Sequence, residues 1–258
     1  MVEIAISLAV IGVALVAIIG VLPIGMRVQR DNREQTVINQ DATVFMEAIR
    51  NGARGLDDLT NYVYLITNIV TTYNNAGQPQ SPPAHYGYTY AGSTFNGAPM
   101  TPQFPITNGM RIIGLLSTPE YTGNDGRALP NLYGGGYSNH VVAYVRSMSG
   151  PAVEKPPQAN DSIIRGDSFS YRILCVNAPL AMDANILNSA YQSNLLANLH
   201  ELRLAFLWPQ LPNGGLGLGR QTYRTMVAGQ LVATTNDPSG QVLYFYQSQS
   251  FAVVTNAP

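Results

Sequence analysis

Few side chains in this sequence are suited to catalysis. The chain has one cysteine, Cys175, and three histidines, which are His85, His140 and His200. A lone cysteine excludes an internal disulfide and a multi-cysteine zinc site, and Cys175 lies in an apolar run that is typical of a buried strand. Glu201 follows His200, but no residue at a recognisable spacing completes a catalytic triad. We therefore expect no enzymatic activity, no cofactor and no resident metal ion.

Two kinds of loop motif resemble ligand-binding segments. The glycine-rich segment 214–219 is similar to a phosphate-binding loop, but a strand-like segment follows it, whereas phosphate loops lead into a helix. A hairpin loop is the better interpretation. Segments 124–126 and 237–240 combine Asp with Gly, which is typical of turns. Each has too few acidic side chains for a calcium site by itself, so calcium binding is kept only as a minor alternative.

The composition favours a folded protein with little charge. Of 258 residues, 46% are apolar and 11% are charged, against roughly a quarter charged in an average domain. Fourteen basic and fifteen acidic side chains leave a net charge of −1. A balance of this kind does not indicate a nucleic-acid partner.

An uncharged apolar segment opens the chain. It runs from Ile4 to Leu22 and continues without charge to Met26. As a helix rising about 1.5 Å per residue, it is long enough to cross a hydrocarbon layer about 30 Å thick. Glu3 stands at its start, and an unpaired carboxylate in hydrocarbon costs several kcal/mol. Glu3 must therefore stay at an interface, where a helix N-terminus favours it, or meet a cation.

The segment 2–12, Val-Glu-Ile-Ala-Ile-Ser-Leu-Ala-Val-Ile-Gly, resembles the mature N-terminus of type IV pilins and type II secretion pseudopilins. The resemblance covers roughly the first fifty residues. It implies that Glu3 pairs with the N-terminal amine of a neighbouring subunit in a filament core. It also implies that Met1 is the processed, methylated N-terminus.

The apolar segment continues into an amphipathic one. Apolar residues recur on one helical face after Arg27, and Gly52 is a plausible stop signal. We therefore expect one helix from about residue 2 to 51, with a break between Gly20 and Gly25 because Pro23 removes a backbone donor. Gly12, Gly20 and Pro23 are the positions at which pilin-like helices would kink or melt on assembly.

A long uncharged stretch follows the helix. From Leu59 to Met110 there is no Asp, Glu, Lys or Arg. We predict a second helix over 56–72 and a loop over 73–105, which is long for a compact domain. Tyrosine is favoured at protein interfaces, so we predict that Tyr86, Tyr88 and Tyr90 contact an adjacent subunit. A solvated irregular insertion is the alternative.

The C-terminal half reads as strands, with a short helix within 183–200. β-Branched and aromatic residues with Gly, Pro and Asn between them predict strands at 111–117, 140–147, 168–176, 201–208, 221–234 and 242–254. The fold class is therefore α+β: a long N-terminal helix packed on an antiparallel sheet domain with a loop-rich insertion. The expected division is 1–26 apolar helix, 27–55 amphipathic helix, 56–135 second helix and insertion, and 136–258 sheet domain.

These features favour a structural subunit of a helical filament. The resemblance implies a homo-oligomer, processed by a prepilin peptidase and handled by assembly machinery. It would span the bacterial inner membrane before assembly, and lie in a cell-surface pilus or a periplasmic pseudopilus afterwards. A minor or tip subunit of the same machinery, or a membrane-anchored periplasmic binding protein that never polymerises, are the alternatives.

Overall fold

The computed structural model describes residues 2–89, 103–149, 169–180, 189–211, 214–234 and 242–251. The chain divides into two compact units, Met1–Gln40 and Asp41–Pro258. The first unit is helix alone, and the second holds the sheet domain. A long N-terminal apolar helix and a mostly antiparallel sheet confirm the predicted α+β fold class.

Helix α1 spans Val2–Arg50 without interruption. The predicted break between Gly20 and Gly25 was wrong, because the helix continues through Pro23. A proline has no N–H, so one helical hydrogen bond is absent at Pro23. The helix nevertheless remains continuous on both sides of this residue. The helix ends at Arg50, and Gly52, two residues further on, has a φ of 56°, a left-handed conformation that glycine adopts readily. There the Gly52 N–H donates to the Ile49 carbonyl over 3.0 Å.

The second unit is built on an eight-stranded sheet in the order β3-β2-β1-β5-β6-β7-β8, with β4 paired to β5. Neighbouring strands are antiparallel except the short parallel pair β2 and β3. The strands are β1 Val63–Tyr73, β2 Ala84–Thr89, β3 Gln103–Pro105, β4 Tyr121–Thr122, β5 Gly136–Arg146, β6 Ser170–Pro179, β7 Leu199–Gln210 and β8 Leu216–Ala228. A separate hairpin pairs β9 Gln230–Thr234 with β10 Leu243–Gln247.

Two predicted elements have the wrong type. Segment 56–72 is a short 3-10 helix, Asp57–Asn61, followed by β1, because its Val, Ile, Thr and Tyr residues favour a strand that pairs on both sides. Segment 111–117, predicted as a strand, lies in helix α2, Gly109–Leu116. Asn108 caps this helix: its side-chain oxygen accepts a hydrogen bond from the Arg111 N–H over 2.9 Å.

The other predictions for the second half agree better with the structure. Strands β5, β6 and β7 cover the segments expected at 140–147, 168–176 and 201–208. Helix α3, Ser189–Asn198, falls within the region predicted as a short helix. The segment predicted as a loop over 73–105 contributes β2 and β3 to the sheet in its described parts, and residues 90–102 of it lie outside the described residues.

One face of the sheet forms the core of the second unit. Alternate residues of β6 and β7 are buried, which is the period-2 pattern of a strand with one covered face. Helix α2 and strand β10 pack together within this unit. The part of α1 from Asp41 onward also belongs to this second unit. The core-facing residues of the two central strands are Tyr171, Ile173 and Cys175 on β6, and Leu202, Leu204 and Phe206 on β7.

Glycine at position 219 makes room for the buried indole of Trp208, its partner on β7. A Cβ at Gly219 would lie 2.5 Å from the indole Cε2, closer than side chains pack. We expect Gly219→Ala to lower the free energy of unfolding by about 2 kcal/mol, the usual cost of overpacking. Urea unfolding in mild detergent, followed by the fluorescence of Trp208, measures this. Thr222→Val, on the exposed face of the same strand, should stay within about 0.5 kcal/mol of wild type.

Candidate membrane and assembly segment

The first part of α1 exposes a large apolar surface. Every residue from Val2 to Arg33 is exposed. Sixteen large apolar side chains between Val2 and Val28 are each more than half exposed. Soluble proteins rarely present contiguous apolar patches of more than a few hundred Å² to water. This surface therefore requires a cover from lipid or from other protein chains.

The apolar side chains of this segment lie on all sides of the helix. A helix that packs on one partner shows an apolar stripe, whereas an apolar surface all round indicates a membrane span or a helix surrounded by others. Among the described residues, α1 is the one helix long and apolar enough to cross a membrane, judged by length and composition. The protein thus has a membrane-capable N-terminal helix.

Glu3 lies in the first turn of this helix. Its backbone carbonyl accepts a hydrogen bond from the Ser7 hydroxyl over 2.9 Å, so Ser7 is satisfied without a polar neighbour. At Gly12 and Gly20 nothing lies within 4 Å of the place that a Cβ would take. Both positions are open for close approach by another helix. Met1 lies outside the described residues.

A charged band ends the apolar segment. It begins at Arg27 and contains three arginines and two carboxylates within eight residues, 27–34. The Arg30 Nε donates to the Glu34 carboxylate over 2.7 Å, one helical turn away. Because the band has three arginines and two carboxylates, its net charge is positive. It marks where α1 must leave an apolar environment.

The residues first considered for catalysis do not form a reactive centre. Cys175 is buried in β6, and burial raises the pKa of its thiol, which makes it a poor nucleophile. His85 and His140 are exposed, on strands β2 and β5, whereas His200 is buried on β7. No group of three His, Cys, Asp or Glu side chains able to hold a metal ion occurs in the part of the chain that the structure describes.

His200 makes the sheet domain sensitive to acid. Its ring meets Tyr246 edge-on with centroids 5.6 Å apart, and neither ring nitrogen reaches a partner with hydrogen-bond geometry among the described residues. Burial lowers the pKa of His200 to about 4, with a partial offset from the backbone of Ala197.

Acid should therefore destabilise the protein through His200. The unfolded chain takes up this proton below about pH 6.5 and the folded chain only below about pH 4. Stability is fully present above pH 6.5 and is lost as pH falls towards 4, by about 3 kcal/mol. His200→Phe should remove this part of the pH dependence in urea unfolding at pH 4 to 7. His140→Gln, at an exposed site, should leave it in place.

The glycine-rich and turn motifs have structural roles in turns and strands. Residues 214 and 215 lie in the connection between β7 and β8, where the Gly214 N–H donates to the Leu211 carbonyl over 2.9 Å, and residues 216–219 begin strand β8. The expected hairpin loop over 214–219 is therefore wrong for residues 216–219, which belong to β8. Gly126, with φ of 79°, closes a turn in which its N–H donates to the Gly123 carbonyl. Segment 237–240 lies outside the described residues.

The tyrosines predicted to contact a neighbour have different positions. Tyr88 is 3% exposed and stacks on Phe104 of β3, with ring centroids 5.5 Å apart. Its ring therefore belongs to the protein's own core, which does not support the role predicted for it. Tyr86 is half-buried on the same strand, and for this residue the subunit contact stays a prediction. Tyr90 lies outside the described residues.

Asp41, which no motif in the sequence marks, is the most buried carboxylate of the described chain. It is 0% exposed on α1 and accepts hydrogen bonds from the Tyr171 hydroxyl at 2.8 Å, the Ser149 hydroxyl at 2.7 Å and the Met148 N–H at 3.1 Å. Burial raises the pKa of Asp41, and these hydrogen bonds oppose the rise. The available signal was its place on the apolar face that also carries Phe45.

Comparison with protein families, with curated proteins and with solved structures finds no match to this chain.

Proposed function

We propose that this protein is a structural subunit of a helical filament of the type IV pilus or type II secretion pseudopilus kind. The observation that carries the proposal is the exposed apolar part of α1, with one carboxylate, Glu3, at its start. In a plain membrane anchor, a carboxylate in the first turn gains only the modest attraction of the helix N-terminus at the membrane surface. In a filament, by contrast, the carboxylate can meet a cation from the next subunit.

The assembly step follows from this geometry. Before assembly, lipid covers the segment from Ile4 to Met26, and the arginines of the 27–34 band reach the membrane surface. On assembly, the same side chains pack against the helices of neighbouring copies, so apolar burial is kept when lipid is exchanged for protein. Glu3 then pairs with the terminal amine of a neighbour, which offsets the cost of removing both charges from water.

The proposed partners and location follow from the same mechanism. The subunit is a homo-oligomer in the filament, spans the bacterial inner membrane before assembly, and is handled by a prepilin peptidase and an assembly machine. The role is structural and not catalytic. The buried state of Cys175 and His200 supports this part of the proposal.

Removal of residues 1–26 provides the test. We expect the full chain, expressed with an assembly machine, to enter membranes and to appear in sheared filaments by electron microscopy. We expect the chain from Arg27 to Pro258 to be soluble, monomeric and folded, with the emission of buried Trp208 unchanged, because the described core of the second unit starts at Asp41.

The outcomes separate the candidate functions. A full chain that enters membranes but never joins filaments would identify a non-polymerising membrane anchor. Incorporation at filament ends alone, seen by immunogold labelling, would identify a minor or tip subunit. An insoluble, unfolded truncation would mean that the apolar helix belongs to the core of the sheet domain, and the proposal would fail.

A further inference from the structure

The charges that follow the apolar segment of α1 come in a definite order. Arg27 is the first and Arg30 the second, and the two carboxylates of the band come after them. On a helix along the bilayer normal, Arg27 and Arg30 lie about 1.5 Å and about 6 Å beyond Met26, whereas Asp31 and Glu34 lie about 7.5 Å and about 12 Å beyond it. The headgroup layer on each side of a bilayer is about 5–8 Å thick. Positive charge therefore lies at the depth of the headgroups.

The direction of α1 turns the arginine side chains toward the membrane. In an α-helix every Cα–Cβ bond leans toward the N-terminus, and the apolar segment is on the N-terminal side of the band. An arginine can lay its apolar stem along hydrocarbon while its charged end stays in a polar layer. Arg33, with its Cα about 10 Å beyond Met26, can thus reach back to the headgroups. The shorter side chains of Asp31 and Glu34 reach less far.

Both carboxylates of the band act on the same arginine. The Arg30 Nε lies 2.7 Å from the Glu34 carboxylate, and Asp31 adds an electrostatic attraction to Arg30. Arg27 and Arg33 are exposed, and their side chains make no hydrogen bond or ion pair with any residue that the structure describes. Two guanidinium groups of the band are therefore available to a ligand.

The positions of Arg27 and Arg33 suit two separate ligands. Six residues separate them, so they lie about 120° apart around the helix and about 9 Å apart along it. One small anion cannot bridge side chains that point in such different directions. A layer of headgroups that surrounds the helix, by contrast, offers each arginine its own partner.

The chemistry of the guanidinium group favours a phosphate. Its planar fork donates two parallel hydrogen bonds to phosphate oxygens, and its charge persists at every physiological pH. A zwitterionic phospholipid balances its phosphate with a cation of its own. An anionic phospholipid such as phosphatidylglycerol has no such cation, so its attraction to a basic side chain is stronger.

We propose that Arg27 and Arg33 each bind the headgroup phosphate of an anionic phospholipid. The two contacts set the depth of α1 in the bilayer, because they place the end of the apolar segment at the level of the phosphates. This binding rests on the membrane step of the proposed function and is independent of the filament.

Lipids retained by the full chain test the proposal. The protein is inserted into vesicles of equal amounts of phosphatidylglycerol and phosphatidylcholine, extracted with mild detergent, and its bound lipids are counted by mass spectrometry. We expect at least about fivefold more phosphatidylglycerol than phosphatidylcholine, because each basic side chain near the surface contributes roughly that factor. Arg27→Gln with Arg33→Gln should bring the ratio close to one.

Matched controls separate this contact from general charge effects. Arg50→Gln, at an exposed arginine in the last turn of α1, should leave the ratio unchanged, since position 50 lies about 35 Å beyond Arg27. Sodium chloride and sodium phosphate of equal ionic strength should lower the enrichment alike, because both screen the charges. A much greater loss in phosphate would identify a site for the free anion and would overturn the proposal.

Three further outcomes would contradict lipid binding. An equal ratio for wild type and for Arg27→Gln with Arg33→Gln would overturn it. Enrichment that disappears when the protein-to-lipid ratio is raised tenfold, with lipid still in excess, would mean that a second copy occupies the arginines. A full chain that does not enter vesicles at all would refute the membrane step of the proposed function as well, whereas entry with equal retention of both lipids would refute lipid binding alone.

Discussion

Replacement of Glu3 by alanine should reduce incorporation into filaments by at least about tenfold while leaving the sheet domain as stable as in wild type. Breaking a buried ion pair by removing one partner leaves the other charge uncompensated, at a cost of about 3–5 kcal/mol. In the filament, the charge left uncompensated by Glu3→Ala would be the terminal amine of the neighbouring subunit. Glu3 is exposed and belongs to the first unit, so it is not part of the unit Asp41–Pro258 whose stability is measured. Immunoblots of sheared filaments and of membranes measure the two pools.

Two further variants make the result interpretable. Glu3→Gln keeps the size and polarity of the side chain and should also fail, because the proposed contact requires a negative charge. Glu47→Ala is the matched control, since Glu47 is an exposed glutamate on the same helix. A membrane anchor that never assembles predicts no protein in the sheared filaments for either wild type or Glu3→Ala. Loss of a carboxylate makes the segment more apolar, so membrane retention would rise or stay the same.

The elements that could be predicted are those with a strong local signal. Helix α1 begins with an uncharged apolar run of the length that is typical of a membrane-spanning helix. Strands β6 and β7 are rich in β-branched and aromatic residues, and their burial alternates as expected. In β1 and α2 the local signal was ambiguous. Pairing with β2 and β5 decided for a strand in the first case, and the Asn108 cap decided for a helix in the second.

The parts of the candidate sites that depend on distant residues could not be predicted. Glu3 is recognisable because a charge in an apolar run is conspicuous in sequence. The place of β8 as the outermost of the described strands depends on the strand order of the sheet, which no local pattern in the sequence determines. Tyr88 shows the converse: its composition indicated an interface, but Phe104 on a neighbouring strand covers its ring. A side chain's exposure is a property of tertiary contacts, and composition does not fix it.

Asp41 is the clearest case of such dependence, and its hydrogen bonds join positions up to 130 residues apart. Asp41→Ala should lower the free energy of unfolding of the sheet domain by about 3 kcal/mol. It leaves the buried Tyr171 hydroxyl and the Met148 N–H without an acceptor, at about 1–3 kcal/mol for each buried group. Urea unfolding followed by the fluorescence of Trp208 measures the loss. Asp41→Asn should lose about 1 kcal/mol or less, because its amide oxygen can accept and its NH₂ can donate to the Ser149 hydroxyl.

The pH dependence separates the charge of Asp41 from its hydrogen bonds. Burial raises the pKa of Asp41 above its ordinary 3.8, so the folded chain holds this proton to higher pH than the unfolded chain. Its contribution to stability is full below about pH 3.8 and is lost as pH rises through the folded pKa. Asp41→Asn does not titrate, so its stability relative to wild type should improve from pH 4 towards neutrality. A difference that stays constant with pH would mean that the Asp41 carboxyl titrates alike in both states. If Asp41→Ala then also unfolds like wild type, the end of α1 is held by its apolar face through Phe45 and Ile49, and the carboxyl network is dispensable.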